Sequence, residues 1–163
     1  MNQYGRVAAR AARMLAADVS LATRAAWDSA AAELVRESDS ARDKGCPRRA
    51  FLGLCAAGVV KGVGCRSLDA GGVNGDYAVR AYRALCANQA LEGSQVELWR
   101  QACPGKAKKH NGQMDVLVGL WQAGLLIGGR LSGYSHRPET TSSLGVGDYL
   151  SDTGLAWPPS VGS

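Results

Sequence analysis

"KGCPRRAFLGLCAAGVVKG", residues 44–62, has a proline near its head and a glycine near its end, and "KHNGQMDVLVGLWQAGLLIGG", residues 109–129, resembles it. Proline is favoured in the first turn of a helix and glycine commonly follows the last turn, so the first stretch predicts one helix. The second stretch has no proline, but it resembles the first and also has a glycine near its end, so it predicts a helix as well. The first is expected to begin at Pro47 and the second to run from about 112 to 124. Their apolar positions indicate burial in a core: Phe51, Leu52, Leu54, Cys55, Val59, Met114, Leu117, Leu120 and Trp121.

The segments before these two helices also match each other. "AARAARML", residues 8–15, resembles "AVRAYRAL", residues 78–85, and "RAAWDSAAAEL" resembles "VELWRQAC" in the same order. The matched pairs lie at offsets of 70, 72 and 66 residues: Arg10 with Arg80, Trp27 with Trp99, and Gly53 with Gly119. Blocks repeated in one order indicate a tandem duplication. The sequence therefore predicts an all-α domain over residues 1–135, built from two three-helix repeats at about 4–72 and 73–135.

Capping signals place the remaining helices, which are predicted over about 4–17, 20–36, 76–88 and 94–103. Ser20, Ser94 and Asn111 are expected to be N-caps, because short polar side chains accept hydrogen bonds from first-turn amides. The Gly-rich segments 61–75 and 128–136 follow the third helix of each repeat, and each is expected to be a loose hairpin or a loop. Three helices followed by a hairpin are also typical of winged-helix DNA-binding proteins.

The C-terminal segment, residues 136–163, is rich in Ser, Thr, Gly and Pro and has little periodicity. Such a composition favours a tail that is mostly disordered or draped over the surface. Within it, Trp157 stands beside two prolines in "GLAWPPS". That motif is expected either to dock on another protein or to strap the tail onto the chain's own surface.

Composition excludes several classes of protein. The chain has 163 residues, with 19 Lys and Arg against 14 Asp and Glu, so its surface is mildly basic and permits a polyanionic partner. Its five cysteines form an odd set without a CxxC pair, which argues against a disulfide framework and a structural zinc site. We expect no metal and no cofactor, and a reducing cytoplasm as the location. No apolar run approaches the roughly 20 residues of a membrane helix.

Three strings carry a resemblance to known proteins: "KGCPRRAFLGLCAAGVVKG", "YAVRAYRAL" and "KHNGQMDVLVGLWQAGLL". They resemble a family of small bacterial proteins of unknown function, which pairs a KGCP...FLGLC block with a KHN.QMDV..LW..GL block. The resemblance spans about residues 4–127. It implies a bacterial, soluble, helical protein and assigns no functional residue.

Nucleic acid is the first partner that the sequence suggests. If the third helices enter a major groove, the phosphate contacts are expected from Lys44, Arg48, Arg49, Lys61, Lys106, Lys108, Lys109 and Arg130. However, these helices offer few polar side chains to read bases, a pattern that suits core helices better. A basic surface without a specific function remains open, as does a protein partner. Arg6, Arg10 and Arg13 form one helical stripe that suits a phosphate backbone, an acidic partner or plain solvation.

Cys46 has a context that favours a reactive thiolate, because a helix start and the neighbouring Lys44, Arg48 and Arg49 stabilise negative charge. In the second repeat its place is taken by Asn111, next to His110. If the two helix starts approach each other, they bring together the cysteine, histidine and asparagine of a cysteine hydrolase. Cys46 is equally explained as a structural cap.

The same two helix starts suggest a milder function. Their free amides, flanked by Lys44, Arg48, Lys109 and His110, can cradle a phosphate or nucleotide. No Walker or dinucleotide fingerprint supports this interpretation. The sequence therefore favours a binding protein over an enzyme, with nucleic acid as the first partner, another protein as the second, and a Cys46-dependent enzyme as the third interpretation.

Overall fold

A computed structural model describes residues 1–36, 38–65, 69–105 and 109–128, and in this part of the chain the fold is all-α, as the sequence predicts. The helices lie at α1 Gln3–Ala17, α2 Thr23–Leu34, α3 Asp39–Arg42, α4 Gly45–Ala56, α5 Gly72–Ala87, α6 Gln95–Ala102 and α7 Gln113–Gln122, with a 3-10 turn at Gln89–Gly93 between α5 and α6. All described residues belong to one compact unit, Met1–Gly133. No helix among them is long and apolar enough to cross a membrane.

The predicted N-cap of α6 is confirmed, and the other two predicted caps are wrong. Ser94 accepts a hydrogen bond from the Glu97 amide over 3.3 Å. Ser20 instead bonds to the carboxylate of Asp18, and α2 begins after Ala22, two residues later than predicted for a Ser20 cap. Asn111 lies before the N-cap of α7, which is Gly112.

Cys46 is also not a cap, because α4 begins earlier than predicted. Lys44 is the N-cap and Gly45 the first helical residue, so Cys46 lies inside the first turn. The C-terminal end is as expected: α4 ends at Ala56, and Gly58 adopts a left-handed φ of 69°. Glycine is favoured there because other residues pay a steric penalty in that region.

The two helices within the quoted stretches, α4 and α7, form the centre of the core. They pack against each other, α5 packs on α4, and α1 packs on α7. Nearly all of their predicted apolar residues are buried, with Val59 only partly so, and Trp27 reinforces the core by packing on Phe51 at a ring-centroid distance of 5.4 Å.

Two of these helix crossings bring glycine backbones into contact. A Cβ built on Gly119 of α7 would lie 2.3 Å from the Cα of Gly5 in α1, and one built on Gly53 of α4 would lie 2.3 Å from the Cα of Gly75 in α5. Any side chain at these positions would force the helices apart.

The segments after α4 and α7 pair with each other in the part of the chain that the structure describes. Val60 and Leu126 form one antiparallel bridge, in which the Lys61 amide donates to Leu125 and the Ile127 amide to Val59, both over 2.9 Å. The prediction of a loose hairpin or a loop over residues 61–75 is wrong for residues 72–75, because they belong to α5. Residues 66–68 and 129–136 lie outside the description, and the described residues form no wing.

Contacts of the two halves correspond under the repeat alignment. The crossing of Gly5 with Gly119 corresponds to that of Gly75 with Gly53, and the Val60–Leu126 bridge joins two positions separated by the same 66 residues. This correspondence supports the duplication as an interpretation. Superposition of the two halves remains a prediction. The tail predicted over residues 136–163 lies outside the described residues.

Candidate functional site

A cleft of about 600 Å³ lies where several helices begin. Its lining combines apolar, amide, thiol and ammonium groups from the residues Cys46, Val73, Asn74, Tyr77, Trp99, Cys103, Lys109, Asn111 and Gln113. We call it the N-terminal cleft, because it contains first-turn residues of α4, α5 and α7. Its volume falls in the range of roughly 300–1,000 Å³ that is common for small-molecule sites.

The helices that begin at the N-terminal cleft share one feature at their N-caps. α4, α5 and α7 have no side-chain hydrogen bond at their N-caps, whereas Asn2, Ser38 and Ser94 cap α1, α3 and α6. First-turn amides have no partner inside their own helix, and each helix start carries about half a positive charge. Three helix starts without side-chain N-caps therefore lie at one cleft, with Asp69 accepting from the Gly71 amide at the start of α5 and Asp115 in the first turn of α7. α2, which contributes no residue to this cleft, is also uncapped.

A chain of amide hydrogen bonds forms one wall of the cleft. Gln113 Nε2 donates to Asn74 Oδ1 over 2.8 Å, and Gln113 Oε1 accepts from the Asn111 backbone amide. The Asn111 side-chain amide donates to Cys46 Sγ over 3.8 Å. Gln113 is only 4% exposed, so these bonds satisfy a polar group that would be costly to bury alone. The chain joins the first turns of α4, α5 and α7.

Aromatic rings form the opposite part of the lining. Tyr77 of α5 and Trp99 of α6 meet edge to face with ring centroids 5.2 Å apart, and both are more than nine-tenths buried. The guanidinium of Arg80 lies 5.4 Å from the Tyr77 ring centroid. The cleft thus has aromatic, apolar surface beside its amide wall, as sites for organic ligands usually do.

Among the described residues that line the N-terminal cleft, the charged side chain is positive. Lys109, which is exposed, contributes an ammonium group, and no described lining residue carries a carboxylate. Together with the three helix starts, this composition favours an anionic ligand over a cation. The described residues contain no cluster of three His, Cys, Asp or Glu side chains that could hold a metal ion.

The structure brings together only two of the three residues of the hydrolase interpretation. Cys46 and Asn111 contact each other as described above, whereas His110 packs beside Trp99 at a ring-centroid distance of 6.5 Å. His110 Nδ1 is buried without a hydrogen-bond partner in the described part of the chain. Within the described residues, no hydrogen bond joins Cys46 to His110, and the catalytic interpretation stays a prediction.

The predicted nucleic-acid contacts have other roles where the structure describes them. Lys44 lies over the ring of Tyr4, 5.4 Å from its centroid, and Arg48 pairs with Asp28 over 3.4 Å. Lys61 donates to the Gly124 carbonyl over 2.8 Å. Arg49 and Lys109 are exposed, and Lys109 lines the cleft; Lys106, Lys108 and Arg130 lie outside the described residues.

Major-groove reading by the third helices is not supported by their burial. Of the ten residues of α7, eight are buried, and α4 buries its apolar side chains in the same core. A recognition helix needs an exposed polar face to reach base edges. Any nucleic-acid contact would have to use another surface.

Under the repeat alignment, the position in the first half that corresponds to the N-terminal cleft is occupied by the Tyr4 side chain. The repeat alignment puts Tyr4 over Asn74, and the Tyr4 hydroxyl donates to the Ala41 carbonyl of α3 over 3.1 Å. A Cβ built on Gly112 would lie 3.2 Å from the Tyr4 ring. The offset falls from 72 to 66 between the tryptophan and glycine pairs, so the second half lacks six residues in the connection where the first half has α3.

Sequence reasoning found part of this cleft and missed the rest. Cys46, Lys109 and Asn111 were candidates, whereas Trp99 was expected only as a repeat and core position and no role was predicted for Tyr77. Asn74 and Gln113 carry one usable signal, since each polar side chain lies in the first turn of a helix that follows a left-handed glycine, Gly71 or Gly112.

These features define a small all-α protein with a ligand-sized cleft at converging helix starts. The chain belongs to the family described as "Family of unknown function (DUF6979)", whose model matches residues 1–127, which confirms the resemblance to a family without an assigned function. No curated protein and no solved structure matches the chain.

Proposed function

We propose that this protein binds a small organic anion in the N-terminal cleft. The observation that carries the proposal is the convergence of α4, α5 and α7, three helices without side-chain N-caps, on one cavity. First-turn amides point along the helix axis toward a ligand at the N-terminus, so phosphate and carboxylate groups bind there readily. Lys109 adds a mobile positive charge at the same place.

The lining also indicates what the rest of the ligand resembles. Tyr77 and Trp99 supply aromatic surface, and Asn74 and Asn111 supply amides that can bond to ring nitrogens or hydroxyls. A flat ring joined to a phosphate or carboxylate, as in a nucleoside monophosphate, matches this combination in size and polarity. A free cation or an uncharged aliphatic molecule does not.

Binding rather than catalysis is proposed because Cys46 bonds to an amide and to no base in the described residues. An asparagine can hold a thiol in position but cannot remove its proton. The cleft therefore has the groups to recognise a ligand without the pair of groups that nucleophilic catalysis requires.

The test is a binding measurement on the full chain with matched ligands. Isothermal titration calorimetry and thermal unfolding are run with adenosine monophosphate, inorganic phosphate and uncharged adenosine. We expect the monophosphate to bind most tightly and to raise the melting temperature, since a ligand that binds only the folded state stabilises it by about 2.7 kcal/mol at 100 times its Kd. Adenosine is expected to bind more weakly.

Two isosteric variants distinguish the cleft from general charge attraction. Asn111→Asp places a carboxylate in the cleft and should lower affinity for the monophosphate at least about tenfold, which corresponds to about 1.4 kcal/mol. Asn88→Asp makes the same charge change at the exposed cap of the 3-10 turn and should have little effect. Equal losses in both variants, or no binding of any anion, would overturn the proposal.

A further inference from the structure

A second surface of the protein is rich in arginine. Arg6, Arg10 and Arg13 are exposed along α1, and Arg36 is exposed just after the end of α2. We call these four residues the arginine surface. A hollow of about 400 Å³ is lined by two of them, Arg6 and Arg36, together with Gln3, Glu33 and Leu34. It therefore joins side chains from two helices that are distant in the sequence.

One carboxylate faces this group of cations in the described residues. Glu33 Oε2 accepts from Arg10 Nε over 3.0 Å, and both side chains are about half exposed, at 51% and 46%. An exposed pair of this kind contributes little stability and is easily exchanged for another anion. Glu37, the next acid along the chain, lies outside the described residues. Four guanidinium groups with one carboxylate leave the surface strongly positive.

We propose that the arginine surface binds the phosphate backbone of duplex nucleic acid. Seven residues of helix separate Arg6 from Arg13, which is about 10 Å along the axis. That length is comparable to the span of a few phosphates along a nucleic-acid strand, so the three guanidinium groups of α1 can contact phosphates of one strand. Guanidinium groups also pair with phosphate oxygens in a bidentate manner, which lysine cannot do.

The chemistry of the surface favours nucleic acid over an acidic protein. Protein interfaces have an apolar centre, whereas nucleic-acid interfaces are polar and positively charged. The hollow contains one aliphatic side chain, Leu34, which is only partly exposed, and none of the exposed large hydrophobic residues of the described chain lines it. Contacts to phosphates carry no base information, so the binding is independent of nucleotide sequence.

This proposal does not depend on the N-terminal cleft, whose lining residues come from α4, α5, α6 and α7 and the segment before α7. The test uses the full chain and a fluorescent DNA duplex of about 20 base pairs in anisotropy titrations, with salt raised from about 50 to 200 mM. We expect affinity to fall steeply with salt, because released counterions drive the binding.

Substitutions that replace a charged side chain by a neutral one of similar size locate the site. The triple variant Arg6→Gln, Arg13→Gln, Arg36→Gln should weaken binding at least about tenfold at low salt and reduce the slope of log K against log salt by about 0.9 for each lost contact. Glu33→Gln should tighten binding, because it removes the one carboxylate that competes with phosphate. A structural role for the arginines would not produce that gain.

The control is a triple variant with the same charge change elsewhere, Arg24→Gln, Arg83→Gln, Arg100→Gln, all three of which are exposed. It should retain most of the affinity. Equal weakening by both triple variants would show diffuse attraction and overturn the site. No binding at low salt would overturn it as well, and so would tighter, arginine-dependent binding of an acidic polypeptide such as poly-glutamate.

Discussion

The Asn111 side-chain amide donates to Cys46 Sγ over 3.8 Å, although 65 residues separate the two positions. The contact fastens the start of α7 to the start of α4 and sets both beside the N-terminal cleft. Neither residue is a helix cap, so the two side chains are available to the cleft rather than to their own helix ends. The geometry of the site therefore depends on how closely the central helices pack.

Glycine at the helix crossings permits that close packing. We predict that Gly119→Ala lowers the free energy of unfolding by about 1–3 kcal/mol or more, because its Cβ would overlap the Gly5 backbone. Urea denaturation should show a lower midpoint with an unchanged slope. Gly93→Ala is the control, since a Cβ there would meet nothing within 4 Å. Equal stability of the two variants would contradict the described crossing.

The helices were predictable because apolar spacing and turn signals are local properties of the chain. Phe51, Leu54, Leu117 and Trp121 are buried as their spacing predicts. The short helix α3 was missed because its four residues bury nothing and produce no periodic pattern. The starts of the helices were predicted less accurately than their interiors. At α7, for example, Gly112 serves as N-cap through a left-handed φ of 92° rather than through a side chain.

The cleft itself was only partly predictable, because it depends on which helix starts converge in space. The repeat raised the pairing of Cys46 with Asn111 only on the condition that the two helix starts approach each other. The position of His110 did not, since its contact with Trp99 depends on the packing of α6. The tyrosine that fills the matching place in the first half, Tyr4, is recognisable only when its contact with α3 is known.

The observed N-caps predict different effects for two serines. Ser94→Ala should cost about 1 kcal/mol of stability, because Ser94 caps α6 through the Glu97 amide. Ser20→Ala should cost less than half of that, since Ser20 bonds only to the exposed loop residue Asp18. Thermal and urea unfolding of both variants measure the difference. A larger loss for Ser20→Ala would return the cap of α2 to the position expected from the sequence.

Burial of Cys55 predicts a pH-dependent loss of stability. Desolvation in the core raises the pKa of Cys55 from an ordinary 9.0 to about 12. Above about pH 9 the unfolded chain therefore loses this proton while the folded chain keeps it, so the stabilising contribution is complete below pH 9 and is lost as pH rises toward 12. The slope from this one group is at most about 1.4 kcal/mol per pH unit.

Urea denaturation from pH 7 to 10 in the presence of a reductant measures that slope. Cys55→Ala lowers stability at all pH values by leaving a cavity, but its difference from the unsubstituted protein should shrink above pH 9. The exposed Cys65 provides the control, because Cys65→Ala should follow the unsubstituted protein across the range. A constant difference for Cys55→Ala would show that its thiol titrates equally in both states.

Thiol accessibility tests the cleft directly. A short iodoacetamide pulse near neutral pH, followed by peptide mapping, should label Cys46 before Cys55, because Cys46 is partly exposed in the cleft whereas Cys55 is fully buried and protonated. Exposed Cys65 and Cys86 should also be labelled early. Saturating adenosine monophosphate should then slow labelling of Cys46 but not of Cys65 or Cys86, because neither of these two lines the cleft. Equal slowing at Cys46 and Cys65 would mean that the anion acts elsewhere, and labelling of Cys46 as slow as that of Cys55 would show that the cleft is closed in solution.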